Sequence, residues 1–230
     1  MAWKGAVEPM PIKDSGSLLL LDLDGTLTPV RSPWRYVYER LGNWDTVGET
    51  IYSRYITGAI DYTSFCRQDI EAWERAGANL ETVLGILDEI TFPPESVSFV
   101  ETLLERGFSL TIVSTGFNRI ARNLALRAAF SHLEGLRWVI NGIREKNGRM
   151  EPVLRVHEGE TPRGKGAWAR RLVRLSKRPP GRTFAVGDGA SDALMFPHVG
   201  KGFTVPGPSA LPKILEQILD EDTRPLAIYQ

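Results

Sequence analysis

The sequence holds one cysteine and three histidines in 230 residues. A lone thiol, Cys66, excludes an intramolecular disulfide and suits a reducing compartment. Its expected place is a small buried apolar site, not a catalytic one. His132, His157 and His198 are scattered, with none of the spacing of a zinc site. An excess of one charge is also missing: Lys+Arg and Asp+Glu are both 28, so the formal net charge is zero. No overall field draws the chain to nucleic acid or to an anionic membrane. The basic run Arg163, Lys165, Arg170, Arg171, Arg174, Lys177, Arg178 and Arg182 reads as the solvated side of an amphipathic helix. Long apolar runs are absent too, since Leu18-Leu19-Leu20-Leu21 is too short for a signal-peptide core or a membrane span. There is no internal repeat and no low-complexity stretch. These features predict a cytoplasmic protein that binds neither nucleic acid nor membrane.

What is present is ordinary in bulk: 42% hydrophobic and 24% charged residues, as in globular proteins. The length favours one core domain with an insertion. The four leucines predict a buried strand, and it runs directly into Asp22-Leu23-Asp24-Gly25-Thr26-Leu27-Thr28. Strand residues two apart share a face, so Asp22 and Asp24 can point toward one site. Adjacent carboxylates repel, and a hard divalent cation with oxygen ligands, Mg²⁺ above all, relieves that repulsion. On this stretch alone, a plain strand-to-turn junction stays open.

Residues 1–17, with Glu8, Pro9, Pro11 and Asp14, read as a loose arm. Residues 31–92 turn helical and aromatic, punctuated by Gly42, Gly58 and Gly77 and closed by Pro93-Pro94. This predicts an all-helical cap inserted into a core made of 1–30 and 93–230. Beyond the prolines the pattern predicts helix 96–105, strand 110–113, helix 118–129, a hairpin around Asn147-Gly148, helix 165–175, strand 183–186, strand 203–205 and helix 210–219. Strands alternating with helices predict an α/β fold, a mostly parallel sheet in three Rossmann-like layers. Sites in such sheets lie beyond the carboxyl ends of the strands.

Three further strand ends or helix starts carry polar chemistry. Ser114-Thr115-Gly116 offers a hydroxyl, a glycine and free N–H groups to an anion, though it also reads as a helix N-cap. Gly187-Asp188-Gly189-Ala190-Ser191-Asp192 brings two more carboxylates, or simply a turn before a helix. Lys165, between Gly164 and Gly166, is oddly placed against a helix dipole unless it reaches an anion. In this order the four segments resemble the motifs of the haloacid dehalogenase superfamily, and most closely its phosphoserine phosphatase-like branch. The resemblance spans nearly all of the chain beyond the N-terminal arm.

The resemblance implies a Mg²⁺-dependent phosphomonoesterase acting on a small-molecule phosphomonoester. It implies that Asp22 attacks phosphorus and that Asp24 is the general acid and base. It implies metal ligands in Asp22, Asp188 and the backbone carbonyl of Asp24. Ser114, Thr115 and Gly116 would hold phosphate, Lys165 would bridge Asp22 and the phosphoryl group, and Asp192 would support them. Asp24 argues against a dehalogenase, and the absence of lysine from 31–92 argues against a phosphonatase. A phosphotransferase and a non-catalytic α/β binding module stay open. In the cap, Arg67 is the candidate for a substrate carboxylate. Arg31 occupies the place where phosphoserine phosphatases typically carry a glutamate, so the two arginines predict a small anionic substrate. Ser191 replaces a frequent asparagine, a mild change.

Overall fold

The computed structural model describes residues 16–127 and 136–223. Residues 1–15 of the expected N-terminal arm and the predicted helix end at Ala129 lie outside the described residues. The first element of the described residues is β1 (Leu18–Leu21). Helices α1 (Pro33–Leu41), α2 (Glu49–Ile56), α3 (Tyr62–Arg75) and α4 (Leu80–Asp88) follow, with a π-helical turn over Trp44–Gly48. Then come α5 (Pro94–Glu105), β2 (Ser109–Phe117), α6 (Asn118–Arg127), β3 (Leu136–Lys146) and β4 (Arg149–Val153). The chain continues through α7 (Lys165–Ser176), β5 (Thr183–Gly187), α8 (Ala190–Ala193), β6 (Lys201–Thr204) and α9 (Leu211–Thr223).

The six strands form one sheet in the order β4-β3-β2-β1-β5-β6. All neighbours are parallel except β3 and β4, the predicted hairpin. Its turn is Asn147-Gly148, with φ of 53° and 73°, the left-handed pair that such a two-residue turn demands. Both β1 faces are covered. Leu19 and Leu21 join the core under α5, α9 and the helical block, whereas Leu18 and Leu20 join a second cluster with Ala169 and Leu172 of α7. All four leucines are fully buried, each worth about 1.5–3 kcal/mol of apolar burial. A run apolar on both faces can only sit in the middle of a sandwiched sheet. The fold is therefore a three-layer α/β sheet, as the alternation predicts.

The helical block has its own aromatic centre. Trp73 and Tyr38 are buried, and the Trp34 ring lies 5.4 Å from Trp73 and 4.6 Å from Phe117 at the end of β2. Polar contacts tie the block to the sheet side. Glu74 accepts from Arg149 Nε and from the Met150 N–H at 2.7 Å each. The Tyr55 hydroxyl donates to Glu158 at 2.7 Å, and Asp88 pairs with Arg119.

Two elements run longer than their apolar signals. β2 extends past Val113 to Phe117, with a register shift between Ser114 and Phe117. Ser114, Thr115 and Gly116 therefore belong to a strand end and do not open α6. The hairpin strands pair up to Lys146 and Arg149, where cross-strand charge pairs such as Arg144–Glu151 replace the apolar alternation.

Candidate active site

Register brings the polar segments together. Leu21 of β1 aligns with Ile112 of β2 and Val186 of β5, so residues just beyond each emerge at one edge. β1 is where the chain order switches sides of the sheet, the usual place for a site. The Asp22 N–H extends the ladder to Val186 O at 2.9 Å, after which the chain folds back as Leu27 and Thr28 N–H both donate to Leu23 O. Gly25 sits in this turn at φ 83°, and a Cβ there would collide with the Asp188 carboxylate. Only glycine meets both conditions.

Lys165 Nζ lies 2.6 Å from Asp22 Oδ1 and 2.6 Å from Asp192 Oδ1. The second Asp22 oxygen accepts from Thr26 Oγ1 at 3.1 Å, and the second Asp192 oxygen accepts from the Gly189 N–H at 3.0 Å. Ser114 Oγ donates to Asp24 Oδ2 at 2.6 Å and accepts from the Gly116 N–H at 2.8 Å. Asp24 Oδ1 has no hydrogen-bond partner although it is buried. At the rim, Arg31 Nε lies 3.5 Å from Asp188 Oδ2, and its guanidinium donates to Pro206 O at 3.3 Å.

Burial is the largest influence on these acids. It raises the proton affinity of Asp22, which Lys165 opposes and Asp192 reinforces. It raises that of Asp24 as well, with repulsion from Asp22 adding to it and the Ser114 hydroxyl opposing it. Asp188 moves up through burial and Asp192, against Arg31 and Lys165. For Lys165 burial works against the charge, but Asp22 and Asp192 more than offset it and hold the ammonium firmly protonated.

Oxygens of Asp22, Asp188 and Asp192 lie within 4.8 Å of one another. Four carboxyls, counting Asp24, meet one buried ammonium and the peripheral Arg31, so the cluster is short of positive charge. Its donors are all hard oxygens, and Asp24 has an oxygen to spare. Such a set fits Mg²⁺.

Asp22, Asp24, Arg31, Thr115, Gly116, Lys165, Asp188 and Asp192 line one cavity of about 660 Å³. Ser114 stands behind that wall, fully buried, and reaches it through Asp24 and Gly116. Arg67 is exposed on α3 and does not line the cavity. Cys66 is buried and unpaired, and its thiol is pushed far up by burial. The basic run divides as well: Lys165 is buried, whereas Arg170, Arg171 and Arg174 are exposed on α7.

Three residues escaped sequence reading. Asn141 donates to Thr115 O at 3.1 Å and to Val156 O at 2.8 Å, and it accepts from the Val156 N–H at 2.8 Å, fixing the end of β2. Glu158 and Asp69 also line the cavity. Asp69 had a visible signal: it falls on the apolar stripe Phe65, Cys66, Ile70 and Trp73 of α3.

A family model described as haloacid dehalogenase-like hydrolase matches residues 17–200. The chain belongs to the haloacid dehalogenase-like hydrolases. A phosphoserine phosphatase of Idiomarina loihiensis is 26% identical over 209 residues, covering 89% of each chain. A structure of a phosphoserine phosphatase as a phospho-aspartyl intermediate analogue shares the fold at TM-score 0.64 and 20% identity, over 90% of this chain and 98% of that one. The phosphoserine phosphatase from T. onnurineus does so at TM-score 0.62 and 23% identity, over 93% and 98%. The resemblance read from motif order agrees with these relatives. Among the described residues, no helix is long and apolar enough to cross a membrane.

Proposed function

We propose that this haloacid dehalogenase-like hydrolase is a Mg²⁺-dependent phosphomonoesterase that works through an aspartyl-phosphate on Asp22 and releases the alcohol of a small phosphorylated metabolite. The observation that carries the reading is Lys165 held 2.6 Å from both Asp22 and Asp192 beside the Asp188 carboxylate. A carboxylate approaching a phosphate dianion meets repulsion, and positioned positive charge is what the protein must supply.

Asp22, Asp188 and the Asp24 carbonyl would hold the ion, with Asp192 behind them. Bound there, Mg²⁺ supplies charge to the phosphate oxygens as the transition state forms. Lys165 neutralises the attacking carboxylate and the transferring group. Thr115 and Gly116 orient phosphate from the cavity wall, and Ser114 supports them. As the Asp22–phosphorus bond forms and the ester P–O bond breaks, Asp24 gives its proton to the departing alcohol. It then takes a proton from the water that attacks the acyl phosphate, which frees inorganic phosphate and restores Asp22. The raised proton affinity of Asp24 supports that first role.

The four helices α1–α4 form the cap in this reading, and the core comprises the rest. The small anionic substrate expected from Arg31 and Arg67 is not part of this proposal. Arg67 stands outside the cavity, and Arg31 sits on Asp188, so Arg31 serves the phosphoryl end. The free Cys66 thiol suits the cytoplasmic setting assumed here. A panel of phosphomonoesters assayed with and without Mg²⁺ tests the proposal. Turnover is expected only with the metal and is expected to vanish in Asp22→Asn. Turnover that survives Asp22→Asn overturns it.

A further inference from the structure

We propose that Trp34 and Tyr62, from the first turns of α1 and α3, are positioning residues for the phosphate, because through the Thr115 carbonyl they fix the peptide against which it lies. This rests on the phosphomonoesterase reading above.

The need for them begins in the strand register. The β2–β3 ladder pairs Ser114 with Ile140 and then Phe117 with Asn141, so Thr115 and Gly116 fall in an irregularity between paired residues. A bulge of this kind takes backbone groups out of the ladder, and a carbonyl inside the protein then finds donors elsewhere. Thr115 O finds three, all on side chains: Trp34 Nε1 at 3.2 Å, the Tyr62 hydroxyl at 3.3 Å and Asn141 Nδ2 at 3.1 Å. Asn141 also donates to the Tyr62 hydroxyl at 3.1 Å, and its own oxygen accepts from the Arg155 N–H at 2.7 Å and the Val156 N–H at 2.8 Å. All three side chains are buried, Asn141 completely.

A peptide unit is planar and trans, so its C=O and N–H point opposite ways. Holding Thr115 O therefore holds the Gly116 N–H. That group donates to Ser114 Oγ at 2.8 Å, and the same hydroxyl donates to Asp24 at 2.6 Å. The fit on this side is tight, since a Cβ on Gly116 would lie 2.2 Å from Asp24 Oδ2. Thr115 and Gly116 line the cavity together with Asp22 and Asp24. A rotated peptide would shift a bound phosphate relative to both acids. Two of its three anchors come from the helical block, so the seating of α1 and α3 and the geometry of the phosphate wall are tied together.

The test compares Tyr62→Phe and Trp34→Phe, which remove one donor each and keep a ring, with Arg149→Ala. The last breaks the ion pair that ties α3 to the hairpin, outside the cavity. KM and kcat for p-nitrophenyl phosphate are measured with Mg²⁺, and the apparent Kd of inorganic phosphate is read from its effect on the melting temperature. Each ring variant is expected to raise KM and the phosphate Kd by roughly three- to tenfold, the worth of one hydrogen bond, with a smaller loss in kcat. Arg149→Ala is expected to leave both constants unchanged. A merely structural role would lower the melting temperature of the ring variants and leave KM and the phosphate Kd as in the parent. That result overturns the inference and leaves the phosphatase reading intact. An equal rise in Arg149→Ala also overturns it, because any loosening of the helical block would then suffice. Should Tyr62→Phe fail to fold, Trp34→Phe decides on the same two constants. A parent that neither turns over the ester nor responds to phosphate defeats the phosphatase reading, and the inference falls with it.

Discussion

Lys165 Nζ lies 2.6 Å from Asp22 Oδ1, and neither side chain is more than 4% exposed. The pair anchors α7 to the end of β1, so it links fold and chemistry. Removing one partner of a buried pair typically costs about 3–5 kcal/mol because the other is left unpaired. Lys165→Met is expected to lower the denaturation midpoint and to abolish turnover. Calorimetry and a Mg²⁺-supported phosphatase assay check both, and an unaltered midpoint contradicts the ion-pair account.

Asp24 is expected to matter most where the leaving group is poor. In Asp24→Asn, hydrolysis of an alkyl phosphate should fall by roughly 10²–10⁴-fold, the usual contribution of general acid–base catalysis. With p-nitrophenyl phosphate, whose leaving oxygen needs little protonation, formation of the acyl phosphate should fall less. Rapid-quench kinetics on the two esters measures the difference. Equal losses remove Asp24 from proton transfer to the leaving group.

The metal reading makes a prediction that needs no substrate. Mg²⁺ bound to the folded carboxylate cluster stabilises the fold by mass action, about 2.7 kcal/mol at a hundred times Kd. The melting temperature is expected to rise with Mg²⁺ in the parent and to respond far less in Asp188→Asn. Gly25→Ala is expected to weaken that response, because its Cβ would meet the Asp188 carboxylate at a positive φ. Identical Mg²⁺ titrations of parent and Asp188→Asn would remove Asp188 from the metal site.

Asp69 gives the stability a pH slope. Burial lifts its pKa from 3.8 to about 8, so the folded state keeps a proton that the unfolded chain releases above about pH 4. Its contribution is therefore fully present below pH 4 and is lost as pH rises toward 8. The groups facing it are Tyr38 of α1, whose hydroxyl is itself held protonated, and Cys66 of the same helix. Asp69→Asn is expected to flatten the decline by at most ~1.4 kcal/mol per pH unit. Denaturant unfolding at pH 5, 6, 7 and 8 reads the slope, and parallel curves contradict a buried neutral acid.

Much of this was legible in the sequence because the motif residues sit where strands must end. Four leucines buried on both faces define β1, and Asn147-Gly148 defines the hairpin turn. The polar tail of β2 was not legible, since Ser114, Thr115 and Gly116 look like a loop although the backbone stays extended to Phe117. The charged outer strand lost its alternation for another reason: cross-strand ion pairs replace apolar contacts at an edge. Arg67 is expected to meet the substrate because its segment resembles a phosphoserine phosphatase cap, but it is exposed on α3 and does not line the cavity. Asp69, two residues on, turns inward with Ile70 and Trp73. Helical phase sets which of the two lines the cavity.

Covalent transfer to Asp22 is the central claim. Acid-quenched protein, incubated with Mg²⁺ and a phosphomonoester, can be digested and examined by mass spectrometry for a phosphoryl group on the peptide that carries Asp22. The account predicts the label on Asp22, its accumulation in Asp24→Asn with the aryl ester, and its absence in Asp22→Asn. A label on another residue, or full turnover with no label in any variant, would contradict it.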